Sequence, residues 1–249
     1  MWSHRQAWPS TSNISGNPST SLQNVILSMS ALFVITILFF NIWASYQARL
    51  VRAHQPYAVA MIKLYSPALA LVFSFLSLSL VAVLYWGTLT VEPPDGVPFT
   101  VGGSTNRKLI YWGFLVGCAS FLASLPFGAS GPSLTGVIGE VYFCKSCILL
   151  YLSCAILVLG LPIVTEAVFR GIVFRVFRHY TTLWGAIAVS CGVSALLWQV
   201  FTWPISLIFG IGSCLLYERT RRVAPSIVAN MTMSVLALGL RLYLMRRMF

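Results

Sequence analysis

The stretch FCKSCILLYLSCAILVLGLPIVTEAVFRGIVFRVF, from Phe143 to Phe177, decides the fold. It is apolar along nearly its whole length, broken by Gly160-Leu-Pro162 and by Glu166, Arg170 and Arg175. As one helix it would measure about 50 Å, well beyond the roughly 20 residues that cross a hydrocarbon core. Two outcomes are open: two segments hinged at Pro162, or one long helix that protrudes. Either way, such a run has no place in a soluble domain. Further apolar runs occupy about 24–46, 60–87, 109–127, 183–203, 205–217 and 223–245. The pattern predicts an all-α bundle of about seven or eight transmembrane helices.

Composition agrees. Of 249 residues, 58% are hydrophobic and 8% charged, whereas soluble domains carry about 25% charged residues. The net charge of +11 comes from 16 Lys and Arg against 5 acids. The bases lie in small groups between apolar runs, which marks helix ends in a bilayer and not a nucleic-acid surface. The expected surroundings are therefore lipid and a membrane-protein partner, with no nucleic acid. Residues 1–22, rich in Ser, Thr, Asn, Gln and Pro, read as a disordered polar tail without the features of a signal peptide. Residues 23–249 read as one membrane domain. Orientation depends on the long stretch: a single crossing distributes Lys and Arg unevenly between the two sides, a double crossing nearly evenly.

The titratable residues narrow the chemistry. The acids are Glu92, Asp95, Glu140, Glu166 and Glu218, and the histidines are His4, His54 and His179. No histidine falls inside an apolar run. Cys144 and Cys147 form a single CxxC with no second pair, so no metal site and no cofactor are expected. Cys118, Cys154, Cys191 and Cys214 read, with that pair, as packing thiols.

Glu166 and Arg170 are four residues apart, on one helix face where they can pair. An ionisable residue inside an apolar helix is costly and points to function by default. Trp198 and Thr202 share a face of the next segment, and Asn230 and Ser234 share a face of the last. Each polar residue alone reads as interhelical glue; the three segments together ask for more.

Together they resemble the CAAX-protease and bacteriocin-processing family of intramembrane endopeptidases, also called Abi, over about residues 143–235. Its Glu-Glu-x-x-x-Arg motif corresponds here to Thr165-Glu166-Ala-Val-Phe-Arg170, followed by Gly171. Its Phe-x-x-x-His motif corresponds to Trp198-Gln-Val-Phe-Thr202, behind Ser194-Ala-Leu-Leu. Its third motif, a His or Asn with Asn or Asp four later, corresponds to Asn230 and Ser234, behind Tyr217, Thr220 and Pro225-Ser-Ile. The resemblance implies about eight helices around a polar cavity. It also implies a water activated by paired glutamates, with histidines and an asparagine orienting it and holding the oxyanion. In this chain Thr165 replaces the first glutamate, Thr202 and Asn230 replace the histidines, and Ser234 the last asparagine.

Two readings follow. The first is a catalytically impaired homologue serving as a structural, partner-binding or regulatory subunit of a membrane complex. The alternative is an active glutamic-type endopeptidase acting on a peptide or prenyl-peptide substrate, with Glu166 as base and Arg170, Asn230 and Thr202 assisting. Thr202 can hydrogen-bond but cannot carry a proton as imidazole does. A carrier or proton path through Glu166 and Glu218 is weaker, because transport folds show matched broken helices in two halves.

Overall fold

A computed structural model of the chain describes residues 18–53, 72–83, 107–127, 147–197 and 203–248. Among these, seven helices and no strand occur: α1 Pro18–Arg52, α2 Val72–Val83, α3 Arg107–Ser124, α4 over 147–180, α5 Leu183–Leu197, α6 Trp203–Thr220 and α7 Ala224–Met248. A 3₁₀ turn, Leu125–Phe127, closes α3. The fold is an all-α membrane bundle, and the protein is a multi-pass integral membrane protein. Among the described residues, three helical spans are long and apolar enough to cross a bilayer by length and composition: Gln23–Leu50, Tyr151–Tyr180 and Ala224–Leu244. Large apolar side chains such as Leu27, Ile42, Tyr151 and Trp184 face outward, which suits a lipid solvent.

The Phe143–Phe177 question resolves in favour of one long helix. Helix α4 is continuous through Pro162, but not uniformly α-helical. It runs as α-helix over Cys147–Ala155, π-helix over Ile156–Gly160, α-helix over Leu161–Glu166, π-helix over Ala167–Phe174 and α-helix over Arg175–Tyr180. A proline inside a helix clashes with the carbonyl four residues back, here that of Val158. The π turn lies at that point, with the Leu161 N–H donating to the Ile156 carbonyl five residues back. The wider turn absorbs the ring without a break. Gly160, in the same turn, is required by packing: a Cβ there would lie 2.9 Å from Phe75 Cε2 of α2.

Short turns set the antiparallel neighbours. At the α4–α5 corner Thr181 is extended, and Thr182 Oγ1 accepts from the Gly185 N–H at 3.3 Å, an N-cap for α5. At the α6–α7 corner Arg221 takes φ 54, a left-handed position usually given to glycine. Its N–H donates to the Tyr217 carbonyl at 2.7 Å.

The apolar core joins Val25, Met29 and Leu32 of α1, Leu78 and Val81 of α2, and Leu157, Leu161, Val168, Phe169, Ile172 and Val173 of α4. Phe174 meets Tyr217 of α6 edge-on at 5.8 Å. Helix α3 joins the bundle through a stripe of small buried residues, Gly113, Gly117, Ser120 and Ser124. A Cβ on Gly117 would come within 2.5 Å of the Ala229 carbonyl oxygen, and one on Gly113 would strike the Pro225 carbonyl. This is the small-residue packing by which membrane helices bring their backbones together. It fixes α7 at the residue beside Asn230.

Candidate functional site

Glu166 ends the central α-helical piece of α4, and the second π turn begins at the next residue. The turn buries Val168 through Phe174, Arg170 among them. Glu166 is 0% exposed and Arg170 2%. Arg170 Nε lies 3.1 Å from Glu166 Oε2, an ion pair that is not aligned as a hydrogen bond. The guanidinium also reaches α6, where Nη2 donates to the Gly210 carbonyl at 3.3 Å and its carbon lies 5.6 Å from the Phe209 ring centroid. Gly210 leaves room for this: a Cβ there would sit 2.7 Å from Cys191 Sγ and 3.6 Å from Arg170 Nη2.

Two more helices close on the carboxylate. Ser213 Oγ of α6 donates to Glu166 Oε2 at 2.6 Å, the short distance typical of a hydrogen bond to a charged acceptor. Asn230 Nδ2 of α7 donates to Glu166 Oε1 at 3.0 Å and to Thr165 Oγ1 at 3.1 Å. The direction of the second bond is forced. The Thr165 hydroxyl spends its own proton on the carbonyls of its helix, Leu161 at 2.7 Å and Pro162 at 3.2 Å, so toward Asn230 it can only accept. Ser226 Oγ then donates to the Ser213 carbonyl at 3.3 Å, tying α7 to α6.

The structure thus gathers four of the residues singled out in the sequence: Thr165, Glu166, Arg170 and Asn230. Ser234, one turn beyond Asn230, is half-buried and makes no hydrogen bond among the described residues. Trp198 and Thr202 lie outside the described residues, as do Glu92, Asp95, Glu140, His4, His54 and Cys144. Glu218 belongs to a separate cluster, 3.3 Å from Arg178 Nη2 and 3.6 Å from Arg221 Nη2, joining the ends of α4 and α6. Cys191 and Cys214 are buried in a second apolar cluster with Phe174 and Tyr217, where the two thiols hydrogen-bond each other beside Arg170.

Residues 147–236, from α4 into α7, match the family described as Rce1-like, type II CAAX prenyl endopeptidase Rce1-like. This region is Rce1-like. The match spans Glu166, Arg170, Ser213, Asn230 and Ser234, and it bears out the resemblance carried by the three motifs. Over these residues the chain is similar to CAAX prenyl endopeptidases. Neither curated proteins nor solved structures give a significant match.

Sequence reasoning missed Ser213 and Gly210, and met Ser226 only as a flank of the third motif. The available signal was the run Phe209-Gly-Ile-Gly-Ser213, where Gly210 and Ser213 put small residues on one face of an apolar helix. Chemically, the arrangement is a carboxylate held by a guanidinium, a hydroxyl and an amide from three helices. A general base needs its water within about 2.6–3.2 Å. Here both carboxylate oxygens are already engaged by the protein and closed to solvent.

Proposed function

We propose that this CAAX-protease-like protein is catalytically impaired and serves as a structural, partner-binding or regulatory subunit of a membrane complex. The observation that supports this reading is the enclosure of Glu166: 0% exposed, with Arg170, Ser213 and Asn230 on its two oxygens. In this reading the carboxylate clasps α4, α6 and α7 together. The Thr165 hydroxyl, at the position of the first family glutamate, serves its own helix backbone. Asn230, at the position of a family histidine, is a neutral bridge between Thr165 and Glu166.

An active endopeptidase with a prenyl-peptide substrate is the second reading. It draws support from the π turn Ala167–Phe174 directly after Glu166, since π turns recur at functional sites. The test is to tag the C-terminus, extract the native membrane in mild detergent, and determine native mass and co-purifying chains. The subunit reading expects a stoichiometric larger assembly, and no precursor accumulating in membranes of a Glu166→Gln strain. A lone 27.4 kDa chain, with precursors left uncut in Glu166→Gln but not in an equally destabilised Gly117 variant, would overturn it.

A further inference from the structure

The fold draws three groups of bases to one end of the bundle. Arg107 and Lys108 open α3, Arg175 and Arg178 close α4, and Arg219, Arg221 and Arg222 surround the α6–α7 corner. Their proximity is direct. Arg178 and Arg221 both reach Glu218, the Arg219 guanidinium lies 5.8 Å from the Trp112 ring centroid, and Gly113 packs on Pro225. Among the described residues Glu218 is the sole acid at this end. Counting Glu92 and Asp95 of the intervening 84–106 segment against the patch still leaves seven bases to three acids.

Exposed aromatic rings share this level. Tyr111 is 60% exposed, Trp112 50%, Tyr180 39% and Trp184 66%. Amphipathic rings of this kind mark the membrane–water interface. The bases therefore sit where lipid headgroups lie. The first turns of α3 and α7 contain no acid that would offset them.

We infer that this end of the bundle binds anionic phospholipid headgroups, with Arg219, Arg222 and Lys108 contacting the phosphate and Trp112 seated beside the glycerol. A base close to an anionic surface contributes about 1 kcal/mol, roughly a fivefold preference. The inference does not rest on the Glu166 reading, because none of these residues touches that cluster.

The test uses the full chain, stripped of lipid in detergent and offered equal amounts of phosphatidylglycerol and phosphatidylcholine, with adducts counted by native mass spectrometry. Wild type should favour phosphatidylglycerol. The double variant Arg219→Gln, Arg222→Gln, which keeps Arg178 and Arg221 at Glu218, should lose that preference roughly twenty-five-fold. Arg246→Gln with Arg247→Gln, near the end of α7, should leave it unchanged. Equal uptake of both lipids by wild type overturns the inference without any variant. So does an equal loss from the Arg246 and Arg247 pair, which would mean unlocalised charge attraction. Displacement of phosphatidylglycerol by inorganic phosphate would also overturn it, marking a soluble-anion site instead.

Discussion

Glu166→Gln tests the clasp most directly. The change keeps shape and removes one charge from a pair in which Glu166 is 0% and Arg170 2% exposed. Arg170 is left with the Gly210 carbonyl, the Phe209 ring and the Cys214 thiol, none of which carries a fixed countercharge. Breaking one side of a buried ion pair costs about 3–5 kcal/mol. At about 2–4 °C per kcal/mol for a chain of this size, the unfolding midpoint should fall by roughly 6–20 °C. Thermal unfolding in detergent, followed by circular dichroism, reads this. Adding Arg170→Met removes the orphaned charge and should restore at least about 2 kcal/mol, within the range of coupling energies for residues in contact. A Glu166→Gln protein as stable as wild type, yet unable to cleave a prenyl-peptide that wild type cleaves, would refute the reasoning. The carboxylate would then be kept for chemistry and not for packing.

Other expectations follow from single contacts. Ser213→Ala removes the 2.6 Å bond to Glu166 Oε2 and should cost about 1.5–3 kcal/mol, as for hydrogen bonds to charged groups, measured by the same unfolding assay. Gly117→Ala places a methyl group 2.5 Å from the Ala229 carbonyl; it should cost about 1–3 kcal/mol and prise α3 from α7, seen as faster maleimide labelling of Cys118. Arg221 sits at φ 54, so Arg221→Gly should leave stability unchanged or raise it by up to about 1 kcal/mol, while Arg221→Val should lower it by at least as much. Thr165→Glu puts a second carboxylate beside Glu166 with one guanidinium to serve both and should fail to give a folded protein. Adding Asn230→His should rescue folding in part, scored by detergent-stable monodisperse yield, since an imidazolium would replace the amide now 3.1 Å from Thr165 Oγ1.

The bundle was legible because apolar length and charge depletion have few soluble explanations. The course of α4 was not. A proline inside an apolar run permits a kink or a π turn, and the choice depends on what packs there. Phe75 of α2, pressed against Gly160, comes from a distant part of the chain. At the site, Glu166, Arg170 and Asn230 could be read from spacing, because a charged pair in an apolar helix and an amide four residues before a hydroxyl are rare enough to notice, whereas Thr165 entered only through the motif resemblance. Ser213 could not. A lone serine in a membrane helix usually bonds its own backbone or a neighbour, and nothing local distinguishes the one aimed at a carboxylate. The part played by α3 was hidden for a related reason. Gly113, Gly117, Ser120 and Ser124 have the spacing of a packing stripe, but the partner helix lies more than a hundred residues away.

The departures from the family motifs share one physical direction. By the motif resemblance Thr165 stands at the place of a titratable carboxyl group, and its hydroxyl is satisfied by Leu161 and Pro162 of its own helix. By the same resemblance Asn230 stands at the place of an imidazole, and its amide protons are spent on Thr165 and Glu166. Both replacements lower the charge that the bundle must hold in a low-dielectric setting, where each ion costs several kcal/mol to bury. Glu166 and Arg170 are different, because removing either alone orphans the other. Their mutual attraction offsets part of the cost of burying them, and Ser213 and Asn230 complete the solvation of the carboxylate from neighbouring helices. The groups that bond Glu166 directly are a hydroxyl, an amide and a permanent cation, a set that supports the proposed structural role, while the Cys191 and Cys214 thiols lie behind Arg170 and do not bond the carboxylate.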